Sequence, residues 1–209
     1  VADARGGVTG VILAGGGATR FGGRPKGLET VGGSRIVDRV ADALAPCCDS
    51  LLLVASAPDA GDWLPGVRAV GDPRPALGSL GGLHAALAHA RAPVLVVAWD
   101  MPFVTPALLG ALRSLAASGA RAARPVHPDG GVEPLCAYYA ADCLHDVERL
   151  LDAGERRARA LGDAVGAAAL RGAALAALGD PRVLLSSVNT PDDLAWARAL
   201  VHAEEPAPR

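Results

Sequence analysis

The run Val8 to Ala14, VTGVILA, is a short, apolar, β-rich segment that stops abruptly at Gly15-Gly16-Gly17. This is the pattern of a buried strand opening straight into a loop, and a strand apolar along its whole length needs cover on both faces. The next segments supply that cover. Ser34 is placed to cap a helix that carries Ile36, Val37, Val40, Ala41 and Leu44 at helical spacing and ends at Pro46. Leu51 to Ala55 and Val67 to Val70 read as two more short strands. A helix from about Leu83 to Ala90 is broken by Pro93, and Val94 to Ala98 is the most continuous strand signal in the chain. Thr105-Pro106 combines an N-cap with an N1 proline and launches a helix through Leu108, Leu109, Leu112 and Leu115.

Beyond Gly119 the alternation loosens. Ala120 to Val126 and Leu135 to Tyr139 are expected as two strands separated by the turn residues Asp129-Gly130-Gly131. Residues 141 to 178 read as Ala/Leu/Arg-rich helix interrupted by glycines, Val183 to Ser186 as a short strand, and Pro191 to Val201 as a closing helix. The polar tail, Glu204 to Arg209, is expected to fray. Repeated strand-then-helix units imply a mainly parallel sheet between helical layers, with the ligand site beyond the carboxyl ends of the strands. Three segments rich in polar or glycine residues, at Gly15, Asp72 and Asp100, each follow directly after an expected strand.

Composition narrows the function. With 209 residues and no internal repeat or linker, the chain reads as one domain, its core running from about 8 to 203. Half the residues are hydrophobic (51%) but only 3% are aromatic, so the core is built from Ala, Val and Leu in close helix-to-sheet contact. A formal charge of −2 gives no basic footprint for nucleic acid. No apolar run reaches the roughly 20 residues that span a bilayer, and no secretory pattern opens the chain, so a cytoplasmic protein without membrane contact is expected. Cys47, Cys48, Cys136 and Cys143 lack Cys-x-x-Cys spacing and read as reduced structural thiols; His84 and His89, five apart, share no helix face.

The stretch from Leu13 to Lys26 is the richest in chemistry. Its small residues let backbone amides approach a nucleotide, and Arg20 and Lys26 offer charge to phosphates. The plain alternative is a flexible glycine loop with incidental surface cations. Two standard phosphate loops are excluded: Lys26 lies between Pro25 and Gly27, not in a Gly-Lys-Ser/Thr helix start, and Arg20 stands where a dinucleotide fingerprint beginning at Gly15 needs glycine.

Leu13-Ala14-Gly15-Gly16 followed by Arg20, Gly22 and Lys26 resembles the signature loop of the molybdenum cofactor guanylyltransferases. Four further segments fit that family in order: Asp72, Gly78 to Leu83, Asp100-Met101-Pro102 and Asn189 to Leu194. Gly154-Glu155-Arg156-Arg157 is similar to its late substrate-side segment. The resemblance implies an α/β protein of the three-layer, Rossmann-like nucleotidyltransferase fold, its sheet mostly parallel with one antiparallel strand. It also implies an enzyme that transfers GMP from GTP to molybdopterin and releases pyrophosphate. Carried over residue by residue, Leu13, Ala14, Gly15 and Gly16 would border the nucleotide, joined by Asp72, Gly78 and Lys26. Arg20, Lys26 and Asp100 would be catalytic. Asp100 would hold Mg²⁺, because a hard cation bridging triphosphate oxygens prefers a carboxylate. Gly82, Arg156 and Asn189 would face the pterin. Cofactor-insertion proteins or acceptor enzymes would be further partners.

The chain departs from the family at Ala18, where serine is common, and at Pro25, where aspartate often precedes the lysine. Ser187 replaces a second asparagine, and Val54 stands where some members carry asparagine. Gly15, where the cytidylyl relatives carry alanine, leans toward the larger purine. Alternatives of the same fold are the molybdopterin cytidylyltransferase and a sugar-1-phosphate nucleotidyltransferase. A non-catalytic nucleotide-binding chaperone for molybdenum enzymes is the alternative of another class.

Overall fold

The central strand β1 (Thr9–Ala14) alternates its side chains between two cores. Ile12 points into one, and Val11 and Leu13 into the other. This period of two, with both faces buried, makes the strand the middle of a three-layer protein. The structure is a computed structural model that describes residues 7–15, 25–74 and 76–204. Gly16, Arg20, the other residues of 16–24 and the tail 205–209 lie outside the described residues.

A small hairpin, β2 (Thr30–Val31) and β3 (Ser34–Arg35), leads into α1 (Ile36–Leu44). There follow β4 (Ser50–Ala55), β5 (Arg68–Val70), α2 (Gly78–Ala90), β6 (Val94–Ala98), α3 (Pro106–Ala117), β7 (Ala122–Pro125) and β8 (Cys136–Tyr139). The chain continues through α4 (Cys143–Asp152), α5 (Arg159–Ala164), β9 (Ala168–Leu170), α6 (Ala173–Ala176), α7 (Pro181–Leu184) and α8 (Pro191–Glu204). Among the described residues the main sheet has seven strands in the order β5-β4-β1-β6-β8-β7-β9. All neighbours are parallel except β8, which runs against both β6 and β7, as expected of a mostly parallel sheet with one reversed strand.

α1 and α3 cover one face, where Val37, Val40, Leu44, Leu108 and Leu112 meet Ile12, Leu53 and Val97. α2, α4 and α5 cover the other, where Leu80, Leu83, Leu87, Val147 and Leu161 meet Val11, Leu52 and Val96. A third, smaller cluster ties α8 to the hairpin through Val31, Ile36, Leu194 and Ala197. Thr105 caps α3 as its sequence predicts, its hydroxyl accepting from Leu108 N–H at 3.2 Å with Pro106 at N1.

Several expectations are corrected. Ser34 does not cap α1: it belongs to β3, and Arg35 occupies the N-cap with no side-chain bond. α2 begins at Gly78, five residues before Leu83, so the glycine-rich segment forms its first turns. The run Val183 to Ser186 is not a strand: Val183 and Leu184 end α7 and Leu185 and Ser186 leave it in a turn, because Asp180 accepts from Arg182 N–H at 2.9 Å and Pro181 sits at N1. The block 141–178 is not one interrupted helix, since β9 lies within it and pairs with β7, Ala123 opposite Ala168. Alanine has little strand preference of its own, and only the waiting sheet edge makes those residues extended.

Candidate active site

Where β1, β4 and β6 end, the chain turns away from the sheet and leaves a cleft of about 530 Å³. Open parallel sheets hold ligands at this end, since loops can diverge there without breaking the ladder. Leu13, Ala14, Gly15, Asp72, Gly78, Gly82 and Asp100 all line it, so most of the residues singled out from sequence converge in space.

Asp100 is held from both sides. The preceding Trp99 donates its backbone N–H to Leu13 C=O at 3.1 Å, and the carbonyl of Asp100 accepts from Val188 N–H at 2.8 Å. Its carboxylate is almost buried and accepts from the Lys26 ammonium. Lys26 starts a short 3-10 turn, Lys26–Leu28, and its ammonium donates also to Asn189 Oδ1 at 2.8 Å. Three sequence motifs thus meet at one nitrogen. Lys26 and Asp100, 74 residues apart in sequence, are in direct contact.

On the opposite wall Asp72 forms a turn, its Oδ1 accepting from Arg74 N–H at 2.8 Å. α2 comes close because Gly81 has no side chain: a Cβ there would lie 3.0 Å from Asp72 Oδ2 and 2.9 Å from Leu77 Cβ. Gly78 has φ +67 and meets the late segment, a Cβ on it falling 2.7 Å from the carbonyl oxygen of Arg156. That carbonyl accepts from Leu80 N–H at 3.0 Å, and Ser79 Oγ accepts from Ala158 N–H at 2.9 Å. Arg156 therefore braces the glycine turn with its backbone. Its guanidinium donates to Leu151 C=O at 3.1 Å and Glu155 C=O at 2.8 Å, and the side chain does not line the cleft. Beside it the Arg157 guanidinium and the N–H groups of Arg157 and Arg156 hold the Glu155 carboxyl down at about 2.

Sequence reasoning passed over two lining residues. Trp99 forms part of the wall, stacked on Trp63 with ring centroids 5.0 Å apart, and its buried indole N–H has no hydrogen-bond partner among the described residues. Glu133 enters from the segment before β8, its Oε1 accepting from Leu135 N–H at 3.0 Å. Burial pushes the Glu133 carboxyl up, against the pull of Leu135 N–H and His127, and the charge of Asp100 adds to the push. Nothing in the spacing around Glu133 marks it, because it reaches the cleft only through the pairing of β8 with β6. Ser187 also lines the cleft.

Residues 10–173 match the family described as the MobA-like NTP transferase domain. This chain belongs to that family. Among MobA-like relatives, the "probable molybdenum cofactor guanylyltransferase" of Chloroflexus aggregans is 36% identical, the match covering 92% of this chain and 94% of that protein. The molybdenum cofactor guanylyltransferase of Desulfosudis oleivorans is 33% identical over 94% of this chain and 96% of its own. The crystal structure of molybdopterin-guanine dinucleotide biosynthesis protein A from Archaeoglobus fulgidus superimposes with a TM-score of 0.78 at 26% identity, covering 94% of this chain and all of that one. The three-layer sheet described above is thus the MobA-like NTP transferase fold, and the cleft lies at the carboxyl ends of its parallel strands.

The cleft lining offers oxygen ligands to a hard divalent cation, although among the described residues no three His, Cys, Asp or Glu side chains gather closely enough to hold one unaided. Its ionisable groups among the described residues are the carboxylates of Asp72, Asp100 and Glu133, with no thiol or imidazole. Oxygen donors are what such an ion binds, and it completes its shell with substrate phosphate and water. No described helix is long and apolar enough to cross a membrane.

Proposed function

We propose that this MobA-like chain transfers GMP from GTP to the terminal phosphate of molybdopterin, releasing pyrophosphate and forming a guanine dinucleotide. The observation that carries the reading is the meeting of the Lys26 ammonium with the Asp100 carboxylate at the cleft. Nucleotidyl transfer needs a cation for the phosphates and an oxygen ligand for a metal.

An oxygen of the acceptor phosphate forms a bond to the α-phosphorus of GTP while the bond from that phosphorus to the β-phosphate oxygen breaks. Pyrophosphate leaves with the electron pair. The acceptor phosphate is largely ionised at neutral pH, so no side chain has to take a proton from it. Asp100 would hold Mg²⁺, which when bound neutralises triphosphate charge and polarises the α-phosphate. Lys26 draws off the charge that builds on the leaving group, a positioning and electrostatic role. By family resemblance Arg20, outside the described residues, is assigned to assist it.

The nucleoside end is assigned to the wall made by Leu13, Ala14, Gly15, Asp72 and Gly78. Among the described residues a Cβ on Gly15 would meet nothing within 4 Å, which supports space for a base there. Gly82, on the same helix one turn further in, and Asn189 are assigned to the acceptor side. Cofactor-insertion proteins or acceptor enzymes would receive the product.

The test is a comparison of nucleotides. GTP with Mg²⁺ at about 100 times its dissociation constant should stabilise the fold by roughly 2.7 kcal/mol. Pyrophosphate should then appear when molybdopterin is added. Equal or greater protection by CTP would sink the guanine assignment.

A further inference from the structure

The side-chain carbonyl of Asn189 accepts a hydrogen bond from Lys26 Nζ at 2.8 Å, across 163 residues of sequence. An ammonium has only donors, so the Asn189 amide must present its oxygen to Lys26, with its NH₂ turned away. The backbone around Asn189 is itself fixed. Its backbone N–H donates to Asp193 Oδ2 at 2.9 Å, and Thr190 N–H donates to the same oxygen at 2.8 Å. Thr190 Oγ1 in return accepts from Asp193 N–H at 3.2 Å, closing a reciprocal cap on α8. The preceding residue, Val188, is bonded to the carbonyl of Asp100. α8 is anchored in turn through Leu194 and Ala197.

From this geometry we propose that Asn189 is a positioning residue for the catalytic lysine, acting on GTP through Lys26 before any acceptor is present. The inference rests on the functional reading above and deepens it. A lysine side chain is a flexible stem ending in three donors. Among the described residues its ammonium has two acceptors, Asp100 and Asn189, and they differ in charge. With the Asp100 carboxylate engaged by a divalent cation, Asn189 would remain as the partner that orients Lys26. Being neutral, it holds the ammonium in place without cancelling its charge, and leaves two N–H donors for phosphate oxygens. A carboxylate at 189 would pin the lysine by charge and repel the triphosphate.

The experiment is calorimetric titration of the full chain with GTP and Mg²⁺, without acceptor, comparing wild type, Asn189→Ala, Lys26→Ala and the double variant. Asn189→Ala should weaken binding by about tenfold, the scale of a lost hydrogen bond to a charged group. In the Lys26→Ala background the same change should cost less than about twofold, since an effect routed through Lys26 has nothing left to act on. Asn189→Asp, which preserves volume and the backbone cap, should also weaken binding. An unchanged constant for Asn189→Ala, paired with a raised KM for molybdopterin in the turnover assay, would make Asn189 an acceptor ligand alone and overturn the proposal. So would an equal loss in both backgrounds. Absence of GTP binding by the wild-type protein would sink the functional reading itself, whereas normal wild-type binding with an unaltered Asn189→Ala constant removes only this role.

Discussion

Gly27 lies against the indole of Trp99 so closely that a Cβ on it would fall 2.3 Å from Cε3 and 2.6 Å from Cδ2 of the ring. Trp99 is 5% exposed and stacked on Trp63, itself 5% exposed, so moving the ring would disturb that stack and the cleft wall it belongs to. The contact joins the turn that carries Lys26 to the residue next to Asp100. Gly27→Ala should therefore force the turn off the ring, lowering stability by about 1–3 kcal/mol. Pyrophosphate release should fall more than stability does, because Lys26 is displaced with the turn. Thermal unfolding and turnover of the same preparation separate the two effects.

Asp100→Asn keeps an oxygen that can accept from Lys26 but removes the charge a divalent cation needs. The fold should survive, and pyrophosphate release should drop by about a hundredfold or more. Equal rates for variant and wild type would remove Asp100 from the mechanism.

Two glycines of α2 should respond in opposite ways. Gly78 combines φ +67 with the Arg156 carbonyl 2.7 Å from its would-be Cβ, so Gly78→Ala should destabilise by about 1–3 kcal/mol. Among the described residues a Cβ on Gly82 meets Leu13 Cδ1 at 3.7 Å and Cδ2 at 3.8 Å, both ordinary contacts. Within a helix alanine is better than glycine by about 0.5–1 kcal/mol, so Gly82→Ala should fold at least as stably as wild type. Any loss of turnover in that variant then reports on the ligand and not on the fold. Denaturant unfolding beside an acceptor titration reads both.

Thr105→Ala removes the hydroxyl that caps α3 and should cost about 1 kcal/mol with no change in the GTP dissociation constant. It is the control for stability loss remote from the cleft.

The thiols set a pH dependence at the alkaline end. Burial pushes Cys48 up to about 12 and Cys143 up to about 11, both from an ordinary 9.0, and it raises Cys136 as well. The folded protein keeps these protons where the unfolded chain has lost them. Stability should thus be intact below pH 9 and decline as pH rises from there through the folded values. Thermal unfolding across that range checks the sign. In the same vein, a thiol reagent at pH 8 should leave the native protein almost unmodified and label all four cysteines after denaturation.

Much of this protein was legible locally. An apolar run of strand length followed by glycine, or by aspartate and proline, determines where a strand ends and a loop begins, because burial and turn chemistry are properties of neighbouring residues. That was enough to place β1, β4, β5 and β6 and to put Gly15, Asp72 and Asp100 at their ends. The pair Thr105-Pro106 announced α3 for the same reason. At Asp180-Pro181 a cap and an N1 proline likewise start a helix, and they override the strand preference of the valine and leucine run that follows.

Tertiary structure decided the rest. β9 is strand because β7 offers it an edge, and α2 starts at Gly78 because the Arg156 carbonyl braces a turn that local propensity does not favour. Glu133 joins the cleft through antiparallel pairing of β8 with β6. Lys26 and Asn189 were each marked as functional by pattern, yet nothing in either pattern brings the amide oxygen to the ammonium. Only the packing of α8 on the hairpin does so, since contacts between residues remote in sequence are made by burial of shared apolar faces.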